Sequence, residues 1–193
     1  RVATVLGTTF VTIFVIWIIT GVFANFFIST SNAIYSKKND MTPEGVSQPT
    51  SPYVSGSPES LIAWDTLGYQ GQAFTGRGPN MEQLRNFYGT NVKPPIRVYA
   101  GINSADTPEA RANLALKELQ RTNAFDREVL ILATATGTGW LEPQSIDSIE
   151  YMYGGDTAIV TQQYSYLPSW ISFLVDKDNA TNAALALYDA VYK

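Results

Sequence analysis

The sequence contains no cysteine and no histidine. Without cysteine the chain forms no disulfide, offers no thiolate nucleophile and binds no metal through sulfur, and it is equally suited to reducing and oxidising compartments. Without histidine it lacks the usual general base and the usual zinc ligand. No G-x-S-x-G is present, so no serine sits in the sharp elbow that exposes a nucleophile. The phosphate loops G-x-x-x-x-G-K-[ST] and G-x-G-x-x-G and the D-x-D-x-D-G calcium loop are missing as well. No cofactor and no metal are expected. Positive charge is scarce too: 13 Lys and Arg face 17 Asp and Glu, for a net charge of −4. With no basic cluster, nucleic acid is excluded as a partner, and so is a polybasic membrane-surface patch.

Charge of either sign is absent from Val2 to Ile28, a run rich in Val, Ile, Phe and Leu. About 20 apolar residues at 1.5 Å rise span a hydrocarbon core, so this run is long enough to cross with tilt. A signal peptide has a shorter apolar core, of about 7–15 residues. Residues 1–35 are therefore read as a transmembrane helix and its exit, with membrane lipid as a partner. Arg1 on one side and Lys37 and Lys38 on the other give no decisive orientation. Ala3 and Gly7, Thr8 and Thr12, and Thr20 and Ala24 each share a helix face. Such small residues let other transmembrane helices approach closely, whether from the same protein or from a membrane complex. An ordinary lipid-facing helix with scattered small residues fits the same pattern.

Residues 36–60 are rich in Ser and Pro, with Pro43, Pro49, Pro52 and Pro58 removing backbone donors. This segment is predicted to be a linker draped beside the domain. Residues 61–193 have globular composition. Leu61–Asp65 reads as a short strand, Gly68–Asn80 as a glycine-rich loop and Met81–Tyr88 as a helix. Pro95–Ile102 alternates like a strand. Thr107-Pro108-Glu109 then supplies an N-cap hydroxyl, a proline at the first helical position and an acid in the first turn of a helix to Arg121. Val129–Thr136 is an apolar run that reads as a buried strand. A helix over Ser145–Tyr153 ends at Gly154-Gly155, and Thr157–Tyr164 reads as another strand. A last helix runs to Tyr192 with Leu185, Ala186, Tyr188, Ala190 and Val191 inward. Strands alternating with helices give an α/β fold with a mostly parallel sheet and flanking helices.

Chemistry concentrates at the turn after the apolar strand, Thr136-Gly137-Thr138-Gly139-Trp140. Glycines there let backbone N–H groups face an anion, and α/β enzymes bind ligands where strands end. Thr138 and Gly139 are the candidate oxyanion donors, with Gly137 and Trp140 as ligand-binding neighbours. The same glycines also suit a plain tight turn. Arg77, in Thr75-Gly-Arg-Gly-Pro79, could present a planar cation to a carboxylate or phosphate, or simply sit in an exposed turn. Asp147 and Glu150 are three apart on a predicted helix and could share a proton, though a solvated face fits the spacing at least as well. Trp140, Trp170 and Tyr164–Tyr166 either line an acyl pocket or pack a core.

Four stretches together carry a family resemblance: Ser60-Leu-Ile-Ala-Trp-Asp-Thr-Leu-Gly-Tyr-Gln-Gly71, Phe74-Thr-Gly-Arg-Gly-Pro-Asn80, Pro95-Ile-Arg-Val-Tyr-Ala-Gly101 and Ala133-Thr-Ala-Thr-Gly-Thr-Gly-Trp140. The sequence resembles the α/β-hydrolase domain of a bacterial, mainly actinobacterial, family of multi-pass membrane proteins, preceded by that family's last membrane span. The resemblance implies a turn of the H-G-G-G-W type at 136–140, which supplies one oxyanion N–H while the residue after the nucleophile supplies the other. Thr136 stands where that turn has His, and Thr138 where it has Gly. It also implies that nucleophile, acid and His lie beyond residue 193, so residues 61–193 are the first part of an incomplete domain and its second half is a partner. The implied function is a membrane-anchored serine hydrolase of esterase or lipase type with its domain outside the cytoplasm, this stretch alone not being catalytic. The competing reading is a non-catalytic accessory subunit that uses an α/β domain for binding.

Overall fold

The computed structural model describes residues 2–175 and 177–192, with side chains from Leu6 onward. The range limits Arg1 and Lys193 and the side chain of Ala3 lie outside the described residues. The chain divides into two units, Arg1–Ile34 and Tyr35–Lys193. Helix α1 covers Val2–Asn39. Among the described residues one helix, Leu6–Asn39, is long and apolar enough to cross a membrane. Two of its hydroxyls are satisfied within the helix: those of Thr12 and Thr20 donate to the carbonyls of Thr8 and Ile16 at 2.8 and 2.7 Å. That removes the penalty an unpaired hydroxyl would carry in hydrocarbon.

The second unit is built on three parallel strands, β1 (Ile96–Ala100), β2 (Val129–Leu132) and β3 (Thr157–Gln162), in the order β1-β3-β2. β1 and β3 are buried along their whole length, as strands covered on both faces should be. Helix α4 (Pro108–Arg121) covers β1 and β3, and α7 (Asn179–Tyr192) packs on α4. Helix α2 (Gly68–Gly76) lies against β1, where Gly71 meets the ring of Tyr99. Helix α3 (Met81–Tyr88) packs on α5 (Pro143–Met152), and α6 (Ser169–Val175) follows β3. α3 and α4 begin as their sequences predict. Asn80 and Gln83 form a reciprocal capping box, and the Thr107 hydroxyl accepts from Ala110 N–H.

Several elements depart from the sequence reading. Leu61–Asp65 makes no strand, because its amides find side chains instead of a neighbouring backbone. Leu61 N–H donates to Glu118 and Ile62 N–H to the Ser60 hydroxyl. The glycine-rich stretch from Gly68 is helix α2: Gly71 costs about 1 kcal/mol of helix propensity, offset because a Cβ there would lie 2.5 Å from the Tyr99 ring. β2 is half-buried rather than buried, since it forms the sheet edge. On α7 Ala183 and Leu187, one helical turn apart, are buried and Ala186, Ala190 and Val191 pack half-buried on the core, while Leu185 and Tyr188 are exposed.

Within the 36–60 stretch, residues 53–55 join the sheet. Val54 pairs with Arg97 in parallel register, Ser55 N–H donates to the Arg97 carbonyl at 2.9 Å, and Arg97 N–H donates to Tyr53 at 3.2 Å. The buried Ser55 hydroxyl accepts from Tyr99 N–H at 3.1 Å. Residues 53–55 thus occupy the outer edge of β1.

Asp147 and Glu150 also differ from expectation, being neither solvated neighbours nor a proton-sharing pair. Both hold Arg97, which points from β1 toward α5. Its Nε and Nη2 meet the two Glu150 oxygens at 2.7 Å each, Nη2 also meets Asp147 at 2.6 Å, and Nη1 donates to the Phe74 carbonyl at 2.6 Å. Burial works against the Arg97 cation, but Glu150 and Asp147 outweigh it and hold its pKa above the ordinary arginine value. Burial pushes the Glu150 carboxyl up, and the Arg97 hydrogen bonds pull it back.

Two outcomes are expected in denaturant unfolding of the detergent-solubilised chain. Arg97→Met leaves Glu150 buried without its partner and lowers stability by about 3–5 kcal/mol, and adding Glu150→Leu recovers much of the loss. Ser55→Ala orphans the buried Tyr99 N–H and removes about 1–3 kcal/mol, whereas a loose linker would register no change.

Candidate functional site

The turn after β2 is fastened by its own atoms. Gly139 N–H donates to the Thr136 carbonyl at 2.8 Å and Thr136 N–H to the Trp140 carbonyl at 3.0 Å. Trp140 N–H donates to the Thr136 hydroxyl at 3.1 Å. Gly137 N–H donates to the Ser169 hydroxyl at 3.0 Å, and the Gly137 carbonyl accepts from Ser165 N–H at 3.1 Å. The buried Tyr99 hydroxyl donates to the Gly139 carbonyl at 3.0 Å. Burial pushes that hydroxyl far above the ordinary tyrosine pKa, so it keeps its proton.

Both glycines are required by this packing. Gly139 has φ +89°, and a Cβ there would overlap the Tyr99 hydroxyl; at Gly137 a Cβ would overlap the Leu167 carbonyl. The amide inventory corrects one expectation. Gly139 N–H is occupied by the turn itself, so it is not a free oxyanion donor here. Thr138 N–H is the turn amide that has no acceptor among the described residues.

Thr136, Thr138 and Trp140 line a pocket of about 450 Å³. Its other walls come from the last turn of α1 (Tyr35, Lys38, Asn39), from α2 (Tyr69, Gln70) and from Tyr166 and Pro168–Trp170. It therefore opens beyond the end of β2, where a parallel sheet places its ligands. Gly137 does not line it, being turned toward α6. Arg77 does not reach it either. Its Nη2 donates to the Glu44 carbonyl at 3.1 Å, and it borders a smaller hollow of about 90 Å³ on the far side of Tyr69 and Trp140. The aromatic group read from sequence is divided: Trp140, Tyr166 and Trp170 face the pocket, while Tyr164 lines a separate cavity beside α7. Among the described residues no cluster of three or more carboxylates is placed to hold a metal ion.

Sequence reasoning missed the α1 and α2 side of the pocket, because residues 36–60 read as linker and 68–80 as loop. Lys38 stands with its ammonium 5.3 Å over the Tyr69 ring. Asn39 is buried, and its Oδ1 accepts from Gln163 Nε2 at 3.1 Å. Gly68, with φ +70°, was the available signal, since a Cβ there would lie 2.5 Å from the Asn39 amide.

Two family matches cover most of the chain. A family described as alpha/beta-hydrolase matches residues 96–193, and the N-terminal region of an alpha/beta-hydrolase family matches residues 1–79. No curated protein and no solved structure matches this chain. The first match contains the three strands and the 136–140 turn; the second contains the edge segment together with α2 and the last turn of α1, the latter two supplying the opposite wall of the pocket. By these matches the chain belongs to the alpha/beta-hydrolase family.

Proposed function

We propose that the chain is the anchor and oxyanion-bearing part of a membrane-anchored serine hydrolase that cleaves acyl esters, with envelope lipids as substrates and the domain outside the cytoplasm. The observation that carries this reading is Thr138, which lines a pocket walled by Trp140 and Trp170 and whose N–H has no acceptor among the described residues. A backbone donor in a partly apolar pocket suits an ester carbonyl whose oxygen gains negative charge during attack. In this fold family the turn after a strand gives one such donor, and the residue after the nucleophile gives the next.

The sheet supports a place for that nucleophile. The β1 edge is occupied by residues 53–55, whereas β2 has no partner on its outer side among the described residues. A parallel strand reached from α7 would pair with β2, and neighbouring strands lie about 4.8 Å apart. Its C-terminal end would then stand beside the 136–140 turn, where a serine elbow is needed. The exposed Leu185 and Tyr188 of α7 and the half-buried β2 are apolar surfaces that such a second half of the domain would cover.

A second reading, a non-catalytic accessory subunit, draws on the absence of His and of any elbow serine together with the self-bonded turn. A fluorophosphonate probe applied to the full-length membrane protein separates the two. Covalent labelling of a serine is expected; a full-length protein that stays unlabelled overturns the hydrolase reading in favour of the accessory one. Thr138→Pro deletes the donor and is expected to lower kcat by about 10²–10³, with ester KM little changed. Tyr99→Phe orphans the Gly139 carbonyl and is expected to lower stability by about 1–3 kcal/mol, read as a reduced denaturation midpoint.

A further inference from the structure

Asn39 is 6 % exposed, and its Nδ2 is a buried donor with no partner. Its amide orientation is settled by a chain of bonds. Ile102 N–H donates to Gln163 Oε1 at 3.2 Å, which turns Gln163 Nε2 toward the Ser165 carbonyl at 2.9 Å and Asn39 Oδ1 at 3.1 Å. With Oδ1 taken as acceptor, it is the NH₂ group of Asn39 and not its oxygen that is left without a partner. Gly68 provides the room, since any Cβ there would fill the space the amide occupies. Gln163 also lies against the turn, its Cγ 3.1 Å from where a Gly139 Cβ would stand. Asn39, with its orphaned Nδ2, and Thr138, whose N–H has no acceptor among the described residues, both line one pocket, and Lys38 lines it too.

An orphaned buried donor costs about 1–3 kcal/mol, and it persists where a ligand supplies the acceptor. We infer that Asn39 Nδ2 and Thr138 N–H together bind one carbonyl or carboxylate oxygen of an acyl ligand. Asn39 is then a side-chain oxyanion donor that takes the role Gly139 N–H cannot. The assignment rests on the hydrolase reading for its catalytic meaning, but its binding test does not. Both hydrogen bonds strengthen as negative charge develops on this oxygen during ester cleavage.

The test uses the full chain in nanodiscs, titrated with butyrate and followed by amide NMR. The Asn39 side-chain protons and the Thr138 N–H are expected to shift together with a single Kd. Asn39→Asp keeps the acceptor for Gln163 and loses the donor, and Asn39→Leu removes the donor without adding charge. Each is expected to weaken butyrate roughly tenfold or more. Butyrate that binds both variants as it binds the parent, or that moves Thr138 and not Asn39, overturns the inference and leaves the hydrolase reading standing. In p-nitrophenyl butyrate turnover by the full-length protein, Asn39→Asp is expected to lower kcat by about 10²–10³ with KM nearly unchanged, a split that a purely structural defect would not give. Asn39-dependent butyrate binding without any turnover by the parent would instead sink the hydrolase reading and keep the donor pair.

Discussion

The second unit depends on one buried cation. Arg97 is the second residue of a parallel strand buried along its whole length, where an apolar side chain would ordinarily stand, and it reaches Glu150, Asp147 and the Phe74 carbonyl at once. Its guanidinium also lies 5.1 Å from the Phe74 ring centroid. One planar group therefore sets the spacing of β1, α2 and α5 together. Isolated, the cation would be strongly unfavourable; fully bonded, it fixes the position of α2 against the sheet. Tyr69 and Gln70, which wall the pocket, ride on that helix. The location of the site is thus set by an ion pair that takes no part in its chemistry.

Around the pocket, nearly every polar atom of the turn is used up internally. Thr136 is both acceptor and donor for the turn, Ser169 holds Gly137, and Tyr99 holds Gly139 from beneath. Such closure makes the shape of the loop a property of the fold and not of a bound ligand. The few donors left over then stand out, and they converge on one volume.

Legibility of this architecture in the sequence followed how local each signal was. The starts of α3 and α4 were readable because Asn80, Gln83 and Thr107 bond to backbone groups within three residues of themselves. The glycine turn was readable because it follows an apolar strand directly. Helix α2 was not, since its glycines answer to Tyr99, which comes later in the chain. Residues 53–55 have the composition of a linker because the partner that orders them, Arg97 on β1, lies far along the chain. Glu150 read as half of a surface pair, and its burial makes sense only with Arg97 across the sheet. Asn39 carried no sequence mark at all: the bond that orients it spans 124 residues. The identity of the fold was thus written in short motifs, while half of the pocket was written in contacts between distant segments.

The Tyr99 phenol beneath the turn has a consequence for acid–base behaviour. Because burial raises its pKa far above the ordinary tyrosine value, the strut that supports Gly139 keeps its proton around neutrality. Neither histidine nor cysteine is present to introduce a neutral-range ionisation nearby. The hydrogen bond from Tyr99 to Gly139 is therefore indifferent to acidity around neutrality, so that one support of the turn holds its shape as pH changes there.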